Sequence, residues 1–241
     1  EEQFRRLYGD SLGRIEIVAP GVEHAFFTPG DQAGARRAIN VDPDVPFILF
    51  VGRIQPLKGP DVAIRALAAL GRPDAQLAIV GGASGRNGDV QASEAHALVD
   101  ELGLHGQVHF IEPKPHHILS TWYRAADIVL VPSRSESFGL VALEAASCGV
   151  PVVASAVGGL LSLVDDGETG YLIDGRNPDN YADAMRRILD DSELAASMGK
   201  AGVERAKDYT WRAAAERLRD VYAELGAGTL VTCHGVGEES T

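Results

Sequence analysis

Short, almost wholly apolar runs recur along this chain, and each leaves through a polar turn into a longer, mixed segment. The run VPFILFVGRI (45–54) is apolar at successive positions rather than at alternate ones. A strand with one face in water alternates, so a continuous run needs cover on both faces. AQLAIVGG (75–82), GQVHFIEP (106–113), DIVLVPS (127–133) and VPVVAS (150–155) repeat the pattern. Helical segments separate them: PDVAIRALAAL (60–70), DVQASEAHALVDELG (89–103), HHILSTWYRAA (116–126) and GLVALEAASCG (139–149). Pro60 suits a first helical position, and Gly71, Gly103 and Gly149 suit helix ends. Strands alternating with helices pair in parallel through right-handed crossovers. The expected fold is therefore α/β, a doubly wound parallel sheet with helices on both faces. Such sheets bind ligands at the carboxyl ends of their strands, where strand order reverses.

Elsewhere the pattern predicts a strand over RIEIVAP (14–20), a short helix in LLSLVDDG (160–167) and a short strand in GYLID (170–174). It also predicts helix from Asn177 to Leu225, interrupted near Asp208–Trp211. The glycine-rich, polar end GAGTLVTCHGVGEEST reads as a loose tail. The domain reading is an interdomain segment with a first strand over 1–30, a ligand-binding domain with C-terminal helices over 31–225, and a disordered tail over 226–241.

The chain has 241 residues and a formal net charge of −12. That charge opposes binding to a nucleic-acid backbone or an anionic membrane, but leaves room for a small anionic ligand met by a few local cations. Cys148 and Cys233 stand in no metal-type spacing, which predicts neither a disulfide framework nor a zinc site and fits a reducing, cytoplasmic setting. No apolar run approaches the ~20 residues of a membrane span, and no signal peptide is visible.

Three loops after strands can carry chemistry. In VGRIQPLKGPD, Arg53 and Lys58 stand between a buried strand and a helix start. A helix N-terminus offers unpaired amides and about half a positive charge, so two cations beside it would seat a diphosphate. The alternative is two solvated surface cations. VGGASGRNGD (80–89) has glycines at 82, 85 and 88, a spacing of GxxGxxG rather than the GxGxxG of a dinucleotide loop, and no GK[ST] ending. A plain turn is the favoured reading there. In PSRSESFGLVALEAASCG, Glu136 lies in a turn after a strand and Glu144 lies within the following helix. The amides of Phe138, Gly139 and Leu140 fall at the helix start, where an anion is stabilised. Glu136 could instead cap those amides, and Glu144 could face water. The apolar company of Glu144, from Val141 to Ala146, favours a buried glutamate with a partner such as a ribose hydroxyl pair.

Taken together, these residues resemble the retaining glycosyltransferases of family four, which have the GT-B fold. GRIQPLKG, the Glu-x7-Glu of YRAADIVLVPSRSESFGLVALEA, GVPVVASAVGG and DGETGYLI occur in the family's order, from about Arg14 to about Leu225. Within the family, VGRIQPLKGPDVAIRAL and the GGASG loop are most similar to the actinobacterial inositol-phosphate N-acetylglucosaminyltransferases of mycothiol synthesis. The resemblance implies a Rossmann-like, C-terminal half of a GT-B enzyme, with UDP-N-acetylglucosamine or UDP-glucose as donor and a small acceptor such as inositol phosphate. It implies that Arg53 and Lys58 hold the diphosphate, that Glu144 binds the ribose, and that Lys114 neighbours the uracil. Glu136 would meet the donor sugar together with the Phe138 and Gly139 amides, and Leu140 at the helix start would face a phosphate. Arg53, Lys58 and Glu136 are the expected catalytic residues.

No catalytic metal is expected, though the YRAAD carbonyls hold a structural cation such as magnesium in some relatives. One departure stands out. After VGG the relatives continue with Leu-Pro, whereas this chain has Gly158, Gly159, Leu160, Leu161 and Ser162. The N-terminal GT-B half, with most of the acceptor contacts, would lie outside the chain. YTWRAAAERLRDVYAEL (209–225) would then expose apolar surface and could self-associate. A nucleotide-sugar-binding module without turnover, or a glycosyltransferase of lipid or antibiotic biosynthesis, is the alternative. The missing GxGxxG disfavours a Rossmann-type oxidoreductase.

Overall fold

The computed structural model describes residue 9 and residues 16–84 and 88–227. It divides into two compact units, Val22–Tyr209 and the terminal segments Glu1–Gly21 with Thr210–Thr241. The 228–241 part of the predicted tail lies outside the described residues, as does the Gly85 position of the glycine loop.

In the larger unit the elements run α1 (Gln32–Ala38), β1 (Phe47–Val51), α2 (Pro60–Leu70), β2 (Gln76–Val80), α3 (Gly88–Glu101), β3 (Val108–Ile111), α4 (His116–Ala125) and β4 (Ile128–Val131). They continue with α5 (Leu140–Ser147), β5 (Val152–Ser155), α6 (Leu160–Leu163), β6 (Gly170–Ile173), α7 (Pro178–Leu189) and α8 (Ser192–Ala206). The six strands form one sheet in the order β3-β2-β1-β4-β5-β6, every neighbouring pair parallel. The order reverses between β1 and β4, where Ile48, Leu49 and Phe50 face Ile128, Val129 and Leu130.

Both faces of the strands are dry, as the continuous apolar runs require. Ile48 and Phe50 of β1 pack with Ile64 and Leu67 of α2, Leu98 of α3 and Met185 of α7. Phe47 and Leu49, pointing the other way, pack with Leu119 and Tyr123 of α4 and Leu143 of α5. Helix ends follow local chemistry. Pro60 opens α2, and Gly71 closes it in the left-handed conformation. The Asn177 side chain caps α7 through the Asp179 amide, and Asp191 caps α8 through the Glu193 and Leu194 amides. That second cap breaks the helix expected to run on from Asn177.

Helix α1 carries Arg36, which is 5% exposed. Its guanidinium donates to the carbonyls of Pro43 at 2.6 Å, Ala125 at 3.0 Å and Val45 at 3.2 Å, and to Asp127 Oδ2 at 2.7 Å. Asp127 Oδ2 also accepts from the Phe47 amide at 2.8 Å, so one buried cation ties together the starts of β1 and β4. The Ala125 and Ala126 carbonyls of YRAAD, raised above as cation ligands, accept from Arg36 and Gln32 instead.

The smaller unit holds α9 (Trp211–Ala227). The strand expected at 14–20 is not formed over Glu16–Pro20; Arg14 and Ile15 lie outside the described residues. The segment meets a helix rather than a strand edge: Glu16 pairs with Arg217, and a side chain on Gly21 would strike the Trp211 amide nitrogen at 2.2 Å. A ladder needs a neighbouring strand, and among the described residues none lies beside this segment. The apolar surface expected on the last helix is present, with Trp211 55%, Leu218 42%, Tyr222 64% and Leu225 70% exposed.

Candidate active site

The loops after β1 and β4 flank the reversal point, and they are built on each other. A side chain on Gly59, the left-handed residue that starts α2, would lie 2.2 Å from the Pro132 carbonyl oxygen at the end of β4. Only glycine accepts both that approach and a φ of 76°. The Arg134 amide donates to the Leu57 carbonyl at 2.8 Å. Arg176, from the β6–α7 loop, closes the group. It donates to the Pro132 carbonyl at 3.2 Å and to both Asp61 carboxylate oxygens at 3.0 Å.

On this frame Lys58 Nζ meets Glu136 Oε2 at 2.6 Å, with side chains 21% and 15% exposed. The sequence predicts separate ligand contacts for these residues, and the structure joins them as a half-buried ion pair. Ser133 Oγ adds a long contact to the same oxygen at 3.4 Å. Among the described residues Glu136 Oε1 has no partner, and the exposed Arg53 has neither a hydrogen bond nor an ion pair. One cation is thus committed to a carboxylate, and its neighbour is open to an anion.

Helix α5 begins at Gly139 with no side-chain cap. Leu140 is 43% exposed at that start, while Phe138 packs edge-on against Tyr209 at 5.8 Å. The Gly158–Gly159 loop, whose missing proline was noted from sequence, lies directly on this turn. The Gly159 amide donates to the Glu136 carbonyl at 3.0 Å. A side chain on Gly158 would lie 1.9 Å from that same oxygen, and Gly158 has a φ of +53°. Close backbone contact holds this loop without a proline.

Glu144 is 7% exposed, which excludes the water-facing alternative. Its Oε2 accepts from the Tyr123 hydroxyl at 2.7 Å, and its Oε1 stands 3.7 Å from His116 Nδ1. Burial raises the carboxyl pKa of Glu144, against the opposing pull of Tyr123 and His116. Burial and the adjacent Glu144 push the Tyr123 phenol well above its ordinary value. Lys114 is half-buried in the β3–α4 loop, two residues before His116, and among the described residues it has no ion pair.

Sequence reasoning missed Tyr123, His116 and Arg176. Tyr123 and Glu144 lie 21 residues apart and Arg176 and Asp61 lie 115 apart, so only the fold reveals those pairs. Of the glycine loop, the Gly81–Gly82 part is structural. Gly81 crosses the Gly52 carbonyl, where a side chain would come within 1.8 Å, and Gly82 accepts from the Ile54 amide at 3.0 Å.

Residues 13–205 match the family described as Glycosyl transferases group 1. The chain is 48% identical over 223 residues to the D-inositol 3-phosphate glycosyltransferase of Kribbella flavida, covering 90% of this chain and 52% of that protein. It is 46% identical over 224 residues to a D-inositol 3-phosphate glycosyltransferase 2 of Catenulispora acidiphila, with the same coverage, 90% and 52%. The chain thus spans about half the length of the curated relatives it matches. Among solved structures, sucrose-phosphate synthase from Thermosynechococcus elongatus superposes with a TM-score of 0.86 at 36% identity, over 95% of this chain and 57% of that one. Anabaena HepE, solved in complex with UDP and glucose, gives a TM-score of 0.77 at 24% identity over 85% of this chain and 55% of its own, a likeness of fold. The six-stranded domain is the Rossmann-like domain of GT-B glycosyltransferases. With its two charged loops meeting at the sheet's reversal point and a match that spans most of its length, the chain belongs to the group 1 glycosyl transferases.

Proposed function

We propose that this chain is the nucleotide-sugar-binding half of a retaining glycosyltransferase. The donor is a UDP-sugar, UDP-N-acetylglucosamine or UDP-glucose, and the acceptor is a small molecule such as inositol phosphate. One observation carries the reading above the others: Lys58 and Glu136 meet at 2.6 Å where strand order reverses, and Arg53, on the same loop as Lys58, has no partner among the described residues. The names of the curated relatives support the acceptor class, and HepE holds UDP on the same fold. An N-terminal half would supply the acceptor contacts and close over the donor. The exposed apolar side chains of α9 fit a surface that packs on further protein.

In this reading the departing diphosphate gathers negative charge as the sugar bond breaks. Lys58 has three N–H donors and gives one to Glu136, which leaves two for phosphoryl oxygens. Arg53 and the uncapped start of α5, at Leu140, supply further positive potential. Lys58 and the start of α5 are held before the donor arrives, which is the condition for electrostatic stabilisation of a transition state; one such contact is worth about 10²–10³ in rate. Glu136 Oε1 accepts from a sugar hydroxyl. A carboxylate neutralised by an ammonium at this distance suits that task, and the support of charge on the sugar ring, better than attack on carbon. Glu144 takes the ribose, and Lys114 stands beside the base.

Isothermal titration of the chain with UDP and with NAD tests the reading. UDP binds and NAD does not, and Lys58→Ala and Glu144→Ala each weaken UDP by tenfold or more. Unchanged UDP affinity in both variants would place the site elsewhere.

A further inference from the structure

Glu144 has two carboxylate oxygens in different surroundings. Oε2 faces inward to the hydroxyl of Tyr123, a side chain with no exposed surface. Oε1 faces outward toward His116, whose side chain is 72% exposed and 3.7 Å away, beyond hydrogen-bonding reach. Phe27 stands edge-on to both rings, with centroids 5.7 Å from Tyr123 and 5.9 Å from His116. A fully buried phenol can hold only one carboxylate orientation.

We propose that Tyr123 is a positioning residue for nucleotide recognition: its hydroxyl pins one oxygen of Glu144 and so presents the other to a ligand hydroxyl. The inference rests on the reading of Glu144 as the ribose contact. Its physical content is twofold. Without the phenol, the carboxylate is free to rotate its acceptor away from the ligand. Without the phenol, the ionised form also loses its buried donor, so the carboxyl takes up a proton more readily. The titratable groups facing Glu144 are Tyr123 and His116 of α4 and Cys148 just past α5, whose thiol burial holds up to about 12; Arg124 of α4 faces that thiol rather than the carboxylate. Phe27, packed from the Val22–Thr28 side, carries no charge.

Tyr123→Phe keeps the ring and its packing and removes only the hydroxyl. UDP and 2′,3′-dideoxy-UDP are titrated from pH 5 to 8 into the wild-type chain and the Tyr123→Phe variant, and the pair is repeated with His116→Gln in both so that the imidazole contributes nothing to the comparison. The expected result is a loss of about tenfold in UDP affinity, the scale of a hydrogen bond to a charged group, with dideoxy-UDP affinity unchanged. The acid limb of UDP binding also moves to higher pH in the variant. Equal loss for both ligands with an unmoved pH profile would make Tyr123 merely structural and overturn the proposal. If the wild type binds both ligands alike, the ribose reading of Glu144 fails first and the proposal falls with it. Should the variant fail to fold, the wild-type chain labelled with carbon-13 at the tyrosine hydroxyl-bearing carbon gives the answer. The Tyr123 signal shifts with UDP and not with dideoxy-UDP, and a signal indifferent to UDP overturns the proposal.

Discussion

Replacing Gly158 by alanine tests how tightly the site's backbone is fixed. Two costs arise, and they can be separated. Alanine at a φ of +53° costs about 1–2 kcal/mol in conformation alone. The new methyl would also stand 1.9 Å from the Glu136 carbonyl oxygen, a separation below the 3.0 Å that real Cβ atoms respect. One backbone must therefore retreat by about 1 Å, the scale of misplacement that costs up to 10²-fold in function. Gly167→Ala supplies the control, because Gly167 has a φ of +80° with nothing within 4 Å of the added carbon. Scanning calorimetry should place both melting points below wild type, Gly158→Ala the lower of the two. About 1 kcal/mol corresponds to roughly 2–4 °C for a domain of this size. Titration should then reveal weaker UDP-sugar binding for Gly158→Ala, with bare UDP less affected, since Glu136 is the proposed contact of the sugar. Equal melting points and an unchanged preference for UDP-sugar over UDP in both variants would refute the reasoning.

Two further outcomes concern buried charge. Burial raises the folded-state pKa of Glu144, so the native state holds the extra proton between the unfolded and folded values, and stability falls as pH rises through that window. Glu144→Gln, of the same shape without the charge, should therefore melt higher than wild type at pH 7–8, and the two should converge below about pH 4 while UDP binding is lost. Arg36→Ala strips four acceptors of their donor and should cost about 3 kcal/mol, read as a lower urea midpoint with unchanged slope.

The sheet was legible because continuous apolar runs such as Phe47–Val51 and Ile128–Val131 allow little but a strand buried on both faces. The two charged loops were legible because they follow such strands. Errors arose where tertiary partners decide. RIEIVAP alternates like a strand, yet its neighbour from Glu16 onward is a helix. Helix α1 escaped notice because its seven residues, QAGARRA, carry little apolar signal and are fixed by Arg36 reaching the β1 and β4 starts. The break before α8 did leave a local sign, the Asp191 cap followed by Glu193. Glu136 and Glu144 were readable as residues, but their partners Lys58 and Tyr123 were not, since those pairs exist only after the sheet has formed.

Arg176 places the loops after β1 and β4 in time as well as in space. A chain is synthesised from its N-terminus, and domains fold as their residues appear. Arg53, Lys58, Glu136 and Glu144 all precede residue 145, yet the guanidinium that ties Asp61 to the Pro132 carbonyl comes from the loop after β6, the last strand of the sheet. The surface where the loops after β1 and β4 meet is therefore among the last parts of the domain to set. A nascent chain carrying all four of these residues would still hold them loosely until the final strand docks, and a truncation ahead of Arg176 would keep it in that unfinished state.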